Sequence, residues 1–257
     1  FNGTFINITA ANITVESGSV ISADFAGFKG VVNGNGQGPG GGIDSNTFAG
    51  SGGGHGGGGG NNSQGGEGGS PYGSSLIPLD IGSAGGACSG KRGGHGGGAI
   101  RINVSNQLIN NGVISADGED GVVGNSNRPC AGGSGGSIYV TTYNLSGSGN
   151  CSSKGGDGNN VSGSDRYAGG GGGGRIAVYY NISSLSNPEN SNASGGDALV
   201  SAQPGDDGSL IFIDRENNVA DIYGGFWFDN EIGYESFDVY SVVNLTTIRG
   251  RPCSVTI

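Results

Sequence analysis

One pattern constrains this chain more than any other: a run of glycines followed by a short strand-like segment, repeated at nearly constant spacing. GGHGGGAIRINV (93–104), GGSGGSIYVTT (132–142) and GGGGGGRIAVYY (169–180) start their strands at Ala99, Ser137 and Arg175, an interval of 38 residues taken twice. A weaker copy, DDGSLIFID (206–214), starts its strand at Ser209, 34 residues further on. A period in this range predicts a stacked architecture in which each unit is completed by its neighbours. The phrase GSVISAD (18–24) returns as NGVISADG (111–118) and marks an earlier copy, set apart by a large insertion over 29–98.

Glycine supplies 61 of the 257 residues, against an ordinary usage of roughly 7%, so backbone chemistry dominates. The glycines come in blocks and there are only seven prolines, which excludes collagen. Runs such as IRINV, IYV, RIAVYY and SLIFI fit strands, and no long window keeps a helical apolar period. Consecutive glycines can adopt an extended three-fold conformation, but ordering them costs much entropy, so isolated segments fail where a mutually hydrogen-bonded layer succeeds. The alternative for these blocks is flexible surface loops.

The expected fold is therefore all-β: β-solenoid or parallel β-helix-like repeats beside packed, polyglycine II-like segments, with an aromatic C-terminal β cap. Residues 1–213 form the glycine-rich body, including the insertion at 29–98. Residues 214–257, which hold Trp227 and the aromatic cluster IYGGFWFDNEIGYESFDVYSVVNLTTI (222–248), form a cap or a protomer junction. In the first strand region, alternation turns Ile6, Ile8, Ile13 and Val15 inward, with a break between the two pairs.

A net charge of −10 with only 12% charged residues lacks the basic stripe of a nucleic-acid binder. No stretch approaches the ~20 apolar residues of a membrane-spanning helix. The chain starts at Phe1 and has no Met, so an initiator and any signal peptide are expected to be removed or to lie outside it.

Eleven Asn-x-Ser/Thr sequons occur, at Asn2, Asn7, Asn12, Asn61, Asn103, Asn144, Asn150, Asn160, Asn181, Asn192 and Asn244. Chance at this composition gives about four. In seven of them the middle residue is a branched aliphatic: Ile8, Ile13, Val104, Leu145, Val161, Ile182 and Leu245. In a strand this order puts acceptor and hydroxyl outside and the aliphatic in the core. The simpler reading is a wet β face decorated with Asn and Thr. The pattern predicts covalent N-linked glycans and a secretory, extracellular setting. Four cysteines, without CxxC or a zinc spacing, allow three disulfide connectivities. Cys88 and Cys130 stand at equivalent points of successive repeats, so stacking favours Cys88–Cys130 and, with it, Cys151–Cys253.

Few residues suggest chemistry. His55 and His95 lie in matching GGHGGG phrases; they either share a metal or, as the better reading, fill niches in the glycine layer and bond to backbone. DGEDG (117–121), GGDG (155–158) and GDDG (205–208) read as structural turns, since none has a calcium-loop spacing. No nucleophile elbow or paired carboxylates can be singled out, so no catalytic residue, metal or cofactor is expected.

SGGGHGGGGG (51–60), SPYGS (70–74), GSAGGA (82–87), GGHGGGAIRI (93–102), NGVISADG, GGSGGSIYV (132–140) and GGGGGGRIAVYY, with GSVISAD and SLIFID, span roughly residues 18–213. In this order they resemble a family of large glycine-rich extracellular proteins of plants, algae and protists, with relatives among bacterial adhesins. The resemblance implies a surface or matrix role. The sequon density is similar, more loosely, to glycan-coated fibrils and flagellar-hair glycoproteins. The expected function is a structural protomer of an extracellular fibril, a homopolymer joined through strand-rich ends, with no catalysis. The rival is a monomeric adhesin or carbohydrate-binding module that meets extracellular glycans with Tyr179, Tyr180, Trp227 and the acidic turns. Ice binding is disfavoured, because regular Thr-x-Thr ranks are missing.

Overall fold

In the computed structural model, residues 3–44, 49–125, 127–159, 166–186, 188–199, 201–217 and 219–223 are described. The chain forms β1 (Phe5–Val15), β2 (Val20–Ser22), β3 (Ala99–Asn110), β4 (Val113–Ser115), β5 (Ser137–Thr141), β6 (Asn144–Gly147), β7 (Asn150–Ser152), β8 (Arg175–Tyr180), β9 (Ile182–Leu185), β10 (Ser209–Asp214) and β11 (Val219–Ile222). One short 3-10 turn, Pro188–Asn190, is the sole helical element among the described residues. The fold is nearly all β, as the absence of helical periodicity requires.

The repeat becomes a stack of rungs. The larger sheet runs β11-β10-β8-β5-β3, with β1 on the far side of β3 and with β6 and β9 continuing its other half. All pairs are parallel except β10–β11. Phe5, Ala99, Ser137, Arg175 and Ser209 fall in one register column, so the sequence spacing is the spatial repeat. A second sheet, β2-β4-β7, stacks Val20 on Val113 and Ile21 on Ile114, which makes the two VISAD phrases successive rungs.

Between the sheets, like side chains stand on like. Ile6, Ile100, Ile138, Ile176 and Leu210 form one ladder, and Ile8, Ile102, Val140, Val178 and Phe212 the next. Both belong to the core, with Leu108, Ile114 and Leu145. In β1, Ile6, Ile8 and Ile13 pack against this core and Val15 is buried, and the expected break is a register shift between Ala10 and Asn12. A gradient follows. Ile100 and Ile102 are fully buried, whereas Ile6 and Ile8, with no rung beyond them, are only partly so.

Beside the sheets the glycine runs pack with a three-residue rhythm, as expected of an extended three-fold backbone. Ala131 and Ser134 donate to the 83–86 segment, Gly132 and Gly135 to 169–172, and Gly133 and Gly136 to 116–119. Carbonyls of the same run accept from Gly53, Gly94, Gly97 and Gly156. One run thus bonds to six neighbours, and three of those lie in the 29–98 insertion. The insertion is not a set of loops: backbone groups that would otherwise need water are satisfied within it. Glycine is required here because the strands touch. A Cβ on Gly171 would lie 2.0 Å from the Gly133 carbonyl oxygen.

Candidate functional site

The phrases SGGGHGGGGG, SPYGS and GGGGGGRIAVYY, distant in sequence, converge on one buried knot. Tyr72 N–H donates to the His55 carbonyl at 2.7 Å, and the two rings lie 4.8 Å apart at 52°. Arg175 Nε donates to the Tyr72 carbonyl at 2.9 Å, and its Nη1 to the Ser75 hydroxyl. The Tyr72 hydroxyl donates to Ile81 O and accepts from the Ser83 hydroxyl at 2.9 Å. Tyr179 Oη bonds Leu76 O at 2.9 Å, and Ser137 Oγ bonds Asp80 O at 2.6 Å. Residues 70–81 are therefore a strap across the outer face of the larger sheet, and Arg175, buried at the start of β8, is its anchor. The motif reading includes Tyr72, Ser83 and Arg175 in its phrases but gives neither them nor Ser75 a role in a site. The available signal was an arginine opening a strand directly after six glycines.

His55 is fully buried and its Nδ1 lies 2.9 Å from the Gly135 carbonyl. A carbonyl only accepts, so the proton sits on Nδ1. Burial, followed by the charge of Arg175, lowers the His55 pKa to about 3 and keeps the ring neutral. The Nε2 atom has no hydrogen-bond partner. Burial also pushes the Tyr72 hydroxyl well above its usual range. His95 takes the opposite tautomer, because its Nδ1 accepts from Gly30 N–H at 2.9 Å. It sits beside Glu119, which takes a two-pronged pair from Arg92 at 2.6 and 2.9 Å and accepts His95 N–H at 3.0 Å. Burial lowers the His95 pKa. Burial alone would raise Glu119; the Arg92 bonds outweigh it and hold that carboxylate below its ordinary value. Each histidine thus fills a niche and bonds to backbone. Among the described residues no three His, Cys, Asp or Glu side chains gather as a metal-binding group.

The acidic turns link rung to rung. Asp24 Oδ1 accepts Asp117 N–H at 2.8 Å, and Asp117 Oδ1 accepts Lys154 N–H at 2.7 Å. Asp120 accepts Asp157 N–H and Asp157 accepts Asp197 N–H, each at 2.8 Å. In GDDG, Asp207 accepts Gly195 N–H at 3.1 Å. Asp24, Asp117, Asp120 and Asp157 hold turns of successive rungs in register, whereas Asp207 ties its turn to a residue 12 positions back.

The sequons meet the structure unevenly. Asn7, Asn12 and Asn103 are exposed, while Ile8 and Ile13 pack against the core and Val104 is buried within it. Asn144, Asn150 and Asn192 are half-buried over the buried residues Leu145, Cys151 and Ala193. Asn61 is half-buried and accepts Gly68 N–H at 2.8 Å. Asn181 breaks the pattern: its middle residue, Ile182, is 52% exposed rather than inside. Ile182 starts β9 opposite Asn144, so its rung is out of phase with β6, and Ser183, the register partner of Leu145, is itself exposed. Asn2, Asn160 and Asn244 lie outside the described residues, as do Val161 and Leu245.

Cys88 and Cys130 come together as a disulfide-compatible pair, with Cα atoms 4.8 Å apart. Cys151 follows Ile114 in the core column of the smaller sheet, and burial pushes its thiol up to about 12. Its expected partner, Cys253, lies outside the described residues. Of the residues considered for glycan contact, Tyr180 points into the core at 9% exposure, Tyr179 is tied to the strap, and Trp227 lies outside the described residues. Tyr180 is thus removed from any contact surface. Against known proteins, the chain matches no family model, no curated protein and no solved structure.

Proposed function

We propose that this chain is a structural protomer of a secreted, N-glycosylated extracellular fibril or surface assembly, built as a β-solenoid flanked by a polyglycine II-type lattice, and that it carries out no catalysis. The observation that carries the reading is the register column from Phe5 to Ser209, a continuous parallel stack whose first strand, β1, has a partner on one side only among the described residues. An 11-residue edge of this kind templates further pairing unless it is covered. The interior supports a structural role. His55, Tyr72 and Arg175 each bond a backbone carbonyl, and the void lined by Leu108, Ile114, Val140 and Phe212 has about 10 Å³, room for a single water.

The Cys88–Cys130 pair supports an oxidising compartment. The exposed Asn7, Asn12 and Asn103 support glycosylation of the outer face, since a glycan there meets no packed neighbour. Electron microscopy of the native glycosylated protein tests the reading. Filaments are expected, with an axial repeat on the order of 30 Å for six strands at ~4.8 Å each. Dispersed single chains would overturn it and move attention to glycan arrays.

A further inference from the structure

The stack has two unlike ends. At the tail, β10 is covered by antiparallel β11, and β9 puts Ser183 where earlier rungs put Leu108 and Leu145. At the head, among the described residues, β1 pairs with β3 alone. Ala99 N–H donates to Thr4 O at 3.1 Å. Along a parallel ladder, successive residues turn their backbone groups to opposite sides. Thr4, Ile6 and Ile8 therefore address β3, while Phe5, Asn7 and Thr9 present N–H and C=O to the open edge. Beneath that edge, Ile6, Ile8, Ile13 and Ile21 wait half-covered for one more rung.

An incoming strand must be parallel to continue the ladders, apolar at alternate positions facing Ile6, Ile8 and Ile13, and polar between them. The sequence offers such a pattern. SVVNLTTI (241–248) contains Asn-Leu-Thr in the phase of the Asn-Ile-Thr units at 7–9 and 12–14 of β1. With Asn244 and Thr246 outward, Val243 and Leu245 are the inward pair. The described chain reaches Tyr223 just after β11, at the tail, with 34 residues still to come. Its own β1 lies five strand spacings away, about 24 Å. A following copy stacked on the tail brings its β1 to the point where this segment departs.

We infer that residues 241–248 of one copy add as a parallel strand to the β1 edge of the next copy, forming a head-to-tail junction. This rests on the polymer reading above and names the junction within it.

The test uses the full glycosylated chain and sedimentation velocity. Asn7→Pro removes one edge-facing N–H; Asn7→Gln removes the same sequon and keeps that N–H. Val243→Pro disrupts the donated strand and leaves the Asn244 sequon intact. Wild type and Asn7→Gln are expected to assemble. Asn7→Pro and Val243→Pro are each expected to lose more than ten-fold of the assembled fraction. Mixed one to one, the two defective chains should form dimers and stop there, since one keeps the donor and the other keeps the edge.

Deuterium exchange on wild type gives a readout that needs no variant. On assembly, the amides of Asn7 and Thr9 should slow at least ten-fold, while Ile6 and Ile8 are protected in both states. A polymer that Val243→Pro leaves intact, or a mixture that stays monomeric, overturns this junction and spares the polymer reading. A monomeric wild type whose Asn7 and Thr9 amides are already protected assigns the strand to the same chain and overturns both.

Discussion

Replacing Gly171 by alanine tests whether the glycine runs are a close-packed lattice or merely lie near one another. Gly171 is not among the left-handed glycines, so the effect is steric rather than conformational. Its Cβ would stand 2.0 Å from Gly133 O and 2.5 Å from Gly133 C, so the facing backbone must retreat by roughly 1 Å. That backbone is held by Gly133 N–H on Glu119 O and Gly156 N–H on Gly133 O, while Gly171 itself donates to Gly156 O. Giving up two such bonds costs about 2 kcal/mol. Overpacking adds about 1–3 kcal/mol, and the stiffer unfolded chain returns about 0.4–1 kcal/mol. The expected net loss is about 3 kcal/mol, or about 6–12 °C in Tm for a chain of this size. Gly58→Ala is the control. Its Cβ meets first the movable end of the Asp206 side chain, at 3.0 Å, and should change stability by less than about 0.5 kcal/mol. Urea unfolding followed by circular dichroism, with the disulfide intact, measures both. If Gly171→Ala is no less stable than Gly58→Ala, the contact argument is wrong.

Three other outcomes follow from the same geometry. Reduction, or Cys130→Ser, opens a crosslink spanning 42 residues and should cost about 4 kcal/mol from loop-closure entropy; an unchanged urea midpoint under reductant refutes this. The folded state refuses His55 a proton that the unfolded chain accepts at a pKa of ~6.5. Its contribution is therefore fully present above pH ~6.5 and is lost as the pH falls toward 3, by up to about 1.4 kcal/mol per unit. His95 acts in the same sense. Asp117, raised by burial, opposes them: its contribution is full below its unfolded pKa of ~3.9 and is lost as pH rises through its folded value. Urea midpoints at pH 5 and 6.5 should differ clearly in wild type and much less in His55→Gln. Arg175→Lys gives up the guanidinium bonds to Tyr72 O and Ser75 and should cost about 2–3 kcal/mol. The 70–81 strap should then exchange amide hydrogens and be cut by proteases faster than the wild-type strap; unchanged protection there would remove Arg175 as its anchor.

The architecture was legible where one-dimensional spacing maps directly onto a stack. Ala99, Ser137, Arg175 and Ser209 share a column because a parallel ladder copies sequence intervals into space. The same logic made the alternation of β1 and the Cys88–Cys130 pairing readable. It failed at Ile182 and Tyr180. The one is exposed because its rung is shifted in phase against β6, and the other is buried because it sits on the inward side of β8. Alternation gives two faces but does not say which faces the core at the end of a strand.

By itself the sequence determined the period, the nearly all-β class, the inward face of β1 and the positions of the Asn-x-Ser/Thr sequons. These depend on local order and on the two-residue alternation of strands. Only the tertiary structure decided what the 29–98 insertion is for, which segment each glycine run touches, and that His55 and Arg175 meet Tyr72 of the strap. Glycine has no side chain, so its sequence cannot encode a partner. Selectivity in the lattice comes from the three-fold direction of backbone hydrogen bonds and from what the flanking ladders hold in place. Both exist only once the rungs are stacked.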